Sequence, residues 1–444
     1  MSDAATGPDP ASLDPGRRAG PTLPIGILLA IVPVASVLQF RALALLVTLG
    51  LVAALALHWR AERRIAWPGS LALTLVLALF GWGVVTAAWS PDPGRTISDA
   101  LRNGGFVLLG AAVLRALAEQ PPVALRALPR CLFYGLLAGT LLALADHLTG
   151  NAIRAGVRGL ATPPPWMYFG LKPAVSVIVV LLPLAAGLVP MRPVIRAGLV
   201  LLCVVTALLL PADSAKIGAV IGLLAWGAAQ FWGRWVPRLI GIGLAVFTLL
   251  APLLIGAVLA RDPSIDALPR SAAHRVLIWD FAIHRIAEKP VFGWGLEASR
   301  AVPGGTDQFP VATLDRFGLT SDAAHAWFDR PSAPQLPLHT HNAALQIWLE
   351  LGLVGALLAA ALLARLGFVI ARLQTMAPAT GAFAAAALVG MLSYGVWQEW
   401  WIGMELLLAI LVASLERITS APQAPGAAHP RGLASALPGR AGGG

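Results

Sequence analysis

His339, His341 and Asn342 stand together in "LPLHTHNAALQIWLELGLVGALLAA" (336–360), at the lip of a long apolar run. In an extended segment the His-x-His spacing puts both imidazoles on one side, with Leu338 and Thr340 on the other. Asn342 has the chemistry of a helix N-cap. A helix starting there turns its positive end toward His341. That dipole and partial burial lower an imidazole pKa, whereas a nearby anion raises it. A neutral imidazole near pH 7 accepts a proton from a hydroxyl. Two other readings fit the same residues: interfacial histidines with a cap that merely begin a helix, and a His-x-His chelate, for which no third ligand stands out.

The elements that must position this triplet are membrane helices. The chain has 444 residues, 57% of them hydrophobic and only 12% charged, against about 25% charged in a typical soluble protein. Apolar runs of roughly 17 residues or more recur along it, which predicts an all-α polytopic membrane protein with about twelve spans. The spans fall near 24–40, 42–58, 71–89, 103–118, 131–147, 173–190, 194–211, 217–232, 237–260, 342–371, 378–397 and 400–416. Arginines at 60, 63, 64, 115, 126, 130, 192, 196, 234, 238, 365 and 372 crowd the turns after the even-numbered spans. The positive-inside rule then puts both ends of the chain in the cytoplasm and the long loop 261–338 outside. Residues 1–23 and 417–444, rich in Pro, Gly and Ala, read as disordered cytoplasmic tails. Between them lie spans one to nine (24–260), the loop (261–338) and spans ten to twelve (339–416). Cys131 and Cys203 fall in or beside apolar runs and read as buried thiols without a disulfide.

The formal net charge of +10 is partly this topology signal; no nucleic-acid partner is expected from it. Yet Arg95, Arg102, Arg154, Arg158, Lys172 and Lys216 fall in outward segments, against the inside bias. Cations snorkelling to lipid headgroups are one explanation; a bound anion is the other. Lys216, in "PADSAKIGAV", reads either as an anion ligand or as a plain pair with Asp213. In the loop, "SAAHRVLIWDFAIHRIAEKP" (271–290) spaces Val276, Trp279, Ile283 and Ile286 as an amphipathic helix lying on the membrane or the bundle, with Arg275 near its start. "PVFGWG" (290–295) stops it, and 301–337 reads as a flap over a site. The chain holds no DxD, HExxH, P-loop or CxxC motif, so metal-clamped nucleotide-sugar chemistry and zinc hydrolysis lack support.

"HTHNAALQIWLELGLVG" resembles the H-x-H-N…L-Q…E-x-G-x-x-G signature of the O-antigen ligase and polymerase superfamily. "HRVLIWDFAIHRIAEKPVFGWG" is similar to that family's R…W…P-x-x-G-x-G stretch in its large periplasmic loop. "DSAKIGA" matches the start of its eighth span, with Lys216 where arginine is more usual, a change that keeps charge but loses bidentate geometry. The resemblance spans roughly residues 70–415. It implies a GT-C-type glycosyltransferase of the inner membrane, working at the periplasmic face without metal or cofactor. The implied donor is a glycan on undecaprenyl pyrophosphate. The ligase branch moves it to a sugar hydroxyl of lipid A–core; the polymerase branch moves it to another repeat unit, and a related branch to protein serine. The implied roles are His341 or His339 as base, and Arg275 and Lys216 on the pyrophosphate. Arg154, Arg158, Lys172, Arg95 and Arg102 become further phosphate or core contacts, beside Asn342. Ligase is the first expectation and polymerase the alternative. A lipid-linked glycan transporter predicts ionisable groups deep within spans and matched half-repeats; here such groups gather at span ends, apart from Glu405.

Overall fold

The computed structural model describes residues 20–420, and these form helices and turns without a strand. The expected tails lie mostly outside the described residues, but the last helix continues to Thr419. With no water to satisfy backbone groups in a bilayer, long runs of Leu, Val and Ala close their own hydrogen bonds as helices. Each of the twelve expected segments is helical: α1 (Thr22–Gln39), α2 (Leu43–Glu62), α3 (Leu71–Val85), α4 (Pro93–Ala118), α6 (Leu128–Leu148), α8 (Lys172–Leu188), α9 (Pro193–Leu209), α10 (Asp213–Trp232), α11 (Trp235–Leu259), α15 (Ala343–Ile370), α16 (Met376–Leu392) and α17 (Glu399–Thr419). The short α5 (Pro122–Leu125) and α7 (Ala152–Val157) lie in connections. Eight helical segments are long and apolar enough to cross a membrane, the first of them uniting α1 and α2; α9 and α16 are shorter apolar helices. The chain is thus all-helical and polytopic.

Helix α4 starts ten residues earlier than its apolar run. Pro93 occupies its first turn and Asp92 caps it, accepting from the Arg95 N–H at 3.1 Å. Arg95 and Arg102 therefore sit on a helix, not in a loop. Helix α8 is the centre of the bundle: Pro173 to Ala186 are all buried, and α6, α9, α10 and α16 pack around it.

The loop 261–338 is a folded unit with its own core, which corrects the expected flap. Helix α12 (Arg270–Glu288) buries Leu277, Ile278, Phe281 and Ile286. Short helices α13 (Val311–Arg316) and α14 (Asp322–Phe328), with Phe309, Phe317, Phe328 and Leu336, close over it. Val276, Trp279 and Ile283 pack on the same cluster as Ala344, Leu345 and Leu349 of α15. So α12 lies against the bundle, not on a lipid surface. Apolar burial at about 25 cal/mol per Å² holds it there.

Candidate active site

The loop unit docks where α15 begins, and there the two histidines meet. Their ring centroids are 4.2 Å apart. The same-side expectation holds, but through a turn and not an extended strand: His341 has φ 53°, a left-handed conformation. The turn lets the His341 N–H donate to Nδ1 of His339 at 3.1 Å. Trp279 of α12 fixes the intervening peptide by donating Nε1–H to the Thr340 carbonyl at 3.0 Å. Asn342 caps α15 as expected, accepting from the Leu345 N–H at 3.1 Å.

These bonds assign the tautomers. Nδ1 of His341 lies 3.2 Å from the Ser393 carbonyl, which only accepts, so Nδ1 carries the hydrogen and the Nε2 lone pair is free. Nδ1 of His339 accepts a backbone hydrogen, so its proton is on Nε2. Burial, then the charge of Arg275, pushes the His341 imidazole down to about 4, against a smaller opposing effect of the Ser393 hydrogen bond. His339, only 6% exposed, is held well below the usual range by burial and then by His341, Arg300 and Arg275. Both rings are neutral at pH 7, one as acceptor and one as donor.

Around the pair the predicted cations divide into two groups. Arg275 and Lys172 stand close enough for their charges to act on His341, and Lys172 also lies 4.9 Å over the Phe169 ring. Lys216, at the start of α10, is paired with Asp213 at 3.1 Å, the plain ion pair that its spacing allows. The same helix start reaches the histidines through Ser214, which bonds Ser393. The second group is spent elsewhere. Arg95 pairs with Asp92 at 3.2 Å, and Arg102 pairs with Asp99 and Glu399. Arg158 donates to the Leu38 carbonyl at 3.4 Å and lies over Trp166.

Arg154 requires a correction. It is fully buried, bonding Asp146 at 2.6 Å, the Asn151 side chain at 2.6 Å and the Met167 carbonyl at 2.8 Å. Its charge ties α6 to the turn before α8 and is closed to a substrate. Removing one partner of a buried ion pair costs about 3–5 kcal/mol. Arg154→Met is therefore expected to lower the thermal midpoint sharply, and adding Asp146→Leu to restore part of it; a midpoint unmoved by Arg154→Met contradicts the structural role.

Several working residues escaped the sequence reading. Arg300 reaches His339 with its charge and pairs with Glu297 at 3.6 Å. Nothing in "GLEASRAV" marks it, because its position depends on how the loop folds. Ser393 acts on His341 through its carbonyl, which has no sequence signal. Glu350 carried one: a lone carboxylate in an apolar run. It is a second exception, beside Glu405, to the gathering of ionisable groups at span ends. Fully buried, it accepts from Glu297 N–H (2.6 Å), Ser299 Oγ (2.5 Å), Gln346 Nε2 (3.0 Å) and Trp397 Nε1 (2.5 Å). Gln346 in turn accepts from the Val396 N–H at 3.0 Å. This hub fastens the first turns of α15 to the loop and to the 393–398 turn that supplies the Ser393 carbonyl. Beside it, burial and then the Glu350 charge push the Glu297 carboxyl up to about 8. Among the described residues, no three His, Cys, Asp or Glu side chains cluster to hold a metal ion.

A polytopic helical protein thus holds an imidazole pair beside Arg275 and Lys172 at one rim. Residues 197–360 match the family described as O-antigen ligase, a stretch that holds Lys216, Arg275, both histidines and Glu350. The chain is 32% identical over 227 residues to a Rickettsia conorii protein named "Putative polysaccharide ligase", covering 50% of this chain and 51% of that one. The Rickettsia felis protein of the same name is 30% identical over 229 residues, 50% and 52% of the two chains. The aligned region thus spans about half the length of these curated relatives. No solved structure matches the chain. Residues 197–360 thus resemble the O-antigen ligase family, and about half of the chain resembles the two named ligases.

Proposed function

We propose that this protein is a polysaccharide ligase of the O-antigen type: a metal-independent, inverting glycosyltransferase that moves a glycan from undecaprenyl pyrophosphate to a sugar hydroxyl of lipid A–core. In this reading it sits in the bacterial inner membrane, and the loop end of the bundle faces the periplasm. The observation that carries the chemistry is the free Nε2 of His341 beside Arg275 and Lys172. The acceptor oxygen attacks the anomeric carbon as its proton passes to Nε2. The bond from that carbon to the diphosphate oxygen breaks, and the electron pair leaves with the diphosphate. Fixed cations stabilise the charge that grows there. Glu350, buried close by in the sequence, has its oxygens occupied by four donors, so it is no nucleophile for a double displacement. One in-line attack inverts the anomeric centre.

Removing a preorganised group from developing charge typically costs about 10²–10³ in kcat. Arg275→Ala is expected to lose that much. Lys216→Ala should lose less, because Asp213 already shares its charge, and Lys216→Arg should retain activity. An Arg275→Ala enzyme with wild-type turnover contradicts the assignment. The function itself is tested by reconstituting the purified chain with undecaprenyl-pyrophosphate glycan, with and without lipid A–core, in excess EDTA. Transfer to lipid A–core supports the ligase; elongation of the donor alone identifies a polymerase with the same chemistry; collapse of turnover in EDTA refutes metal independence.

A further inference from the structure

Away from the histidines, the loop unit holds an open cleft of about 470 Å³ between α12 and α13, within the range of small-ligand sites. His284, Glu288, Thr313 and Gln335 line it, with the largely buried Phe281 and Phe309 beneath the surface. On the helical wheel, Phe281, His284 and Glu288 fall on the side of α12 turned away from Arg275. The cleft is therefore separated from the transfer site by roughly one helix diameter, about 10 Å.

The charges within it cancel. Arg316 bridges Asp280 and Asp262, and Arg285 pairs with Glu288 at 2.7 Å while lying 5.1 Å over Phe281. A balanced site does not select a diphosphate. What remains unused is hydrogen-bonding capacity. Nδ1 of His284 donates to the Asp280 carbonyl at 2.8 Å, which leaves Nε2 as a free acceptor on a side chain 68% exposed. Gln335 donates its amide hydrogen to the Gln308 carbonyl at 3.2 Å, leaving Oε1 open. The Thr313 hydroxyl has no protein partner within the described residues' hydrogen bonds. Planar acceptors and a hydroxyl in a charge-balanced recess match the vicinal hydroxyls of a neutral sugar.

We propose that this cleft is a second carbohydrate site, which holds a neutral stretch of the glycan remote from the bond being made. The inference rests on the reading of the protein as a glycan-transferring enzyme, and it adds a grip outside the reacting centre. Binding energy gained there holds long glycans without taking part in the chemical step.

The test uses the full-length, detergent-purified protein. The probe is the oligosaccharide released by mild acid from the producing cell's own surface polysaccharide, followed by saturation-transfer NMR and calorimetry. Wild type and His341→Ala are expected to bind it alike. Thr313→Trp, which fills the cleft, should weaken binding at least tenfold, and Gln335→Ala severalfold, with thermal midpoints unchanged. If Thr313→Trp does not fold, the His284→Ala/Gln335→Ala pair replaces it. Equal binding by the filled or stripped cleft overturns the proposal, as does absence of binding by wild type. Binding lost only in His341→Ala places the glycan in the transfer site and also overturns it. Because binding is read without turnover, a failure of the ligase reading shows separately, as absent transfer by a protein whose cleft still binds.

Discussion

His341→Ala is expected to lower transfer by about 10²–10⁴, the usual contribution of a positioned general base, while the protein stays folded. His341 precedes α15, which Asn342 caps, so losing its ring costs the hydrogen bond to the Ser393 carbonyl, about 1 kcal/mol, and no helix cap. Its left-handed backbone is the other structural burden. His341→Asn controls for this, since Asn tolerates that conformation better than most residues and cannot act as the base. His339→Ala should cost much less. It removes one acceptor from a backbone N–H, worth about 1 kcal/mol, or roughly a fivefold fall. Equal and full activity in both single mutants removes the base assignment.

The pH dependence has a definite sign. With its pKa pushed down to about 4, His341 of the free protein is a neutral base at every pH well above that value, and protonates only as the pH falls through it. The acid limb of kcat/KM, which reports the free enzyme, should therefore lie low. A bound diphosphate adds negative charge beside the ring, favours imidazolium and raises the pKa. The acid limb of kcat should then stand at higher pH than that of kcat/KM. Coincident limbs, with His341 still essential, refute a diphosphate held against the imidazole.

The sequence carried the helices well because the bilayer sets their length and forces each to satisfy its own backbone. It also carried the histidine pair, Asn342 as a cap, and Arg275, since these lie within a few residues of a helix start whose geometry is local. The cations were less legible. Arg154 and Arg275 are alike as letters in outward segments. Asp146 lies eight residues before Arg154 and consumes it, whereas Asp213 acts on Arg275 by its charge while its ion pair is with Lys216. Arg102 is likewise spent on Glu399, nearly three hundred residues away, a pairing that only tertiary structure makes. Sequence patterns mark where a charge is, but its availability depends on what folds against it. The loop at 301–337 was misread for a related reason. Its Pro and Gly content suggested a flap, but widely spaced Phe309, Phe317 and Phe328 build a core without helical or strand periodicity.

The glycines of "PVFGWG" and "ELGLVG" were legible as turn makers, but their joint purpose appears only in three dimensions, and it leads to the second large effect. Gly352 interrupts α15 at φ 64° and ψ −159°, a combination essentially reserved for glycine. The break frees backbone groups inside an apolar helix, and residues 290–295 satisfy them. Trp294 and Gly295 N–H donate to the Leu349 and Glu350 carbonyls at 2.9 and 2.8 Å, while Leu353 N–H donates to Pro290 at 2.9 Å. Trp82 of α3 donates Nε1–H to the Leu351 carbonyl at 3.0 Å. A Cβ on Gly352 would stand 2.3 Å from the Val291 carbonyl oxygen. Gly352→Ala thus adds backbone strain of about 1–3 kcal/mol and pushes the loop from its bonds, each unsatisfied group costing further in an apolar surrounding. Against a total stability of about 5–15 kcal/mol, a large fall in thermal midpoint and folded yield is expected. Transfer should fail with it, because the same junction holds Glu350 and hence the histidine turn. Gly243→Ala, on α11 with nothing within 4 Å of the added carbon, is the control and should stabilise slightly, as alanine does in a helix. A Gly352→Ala protein that melts like wild type would mean that α15 tolerates a continuous helix here, and that the loop is not pinned by the break.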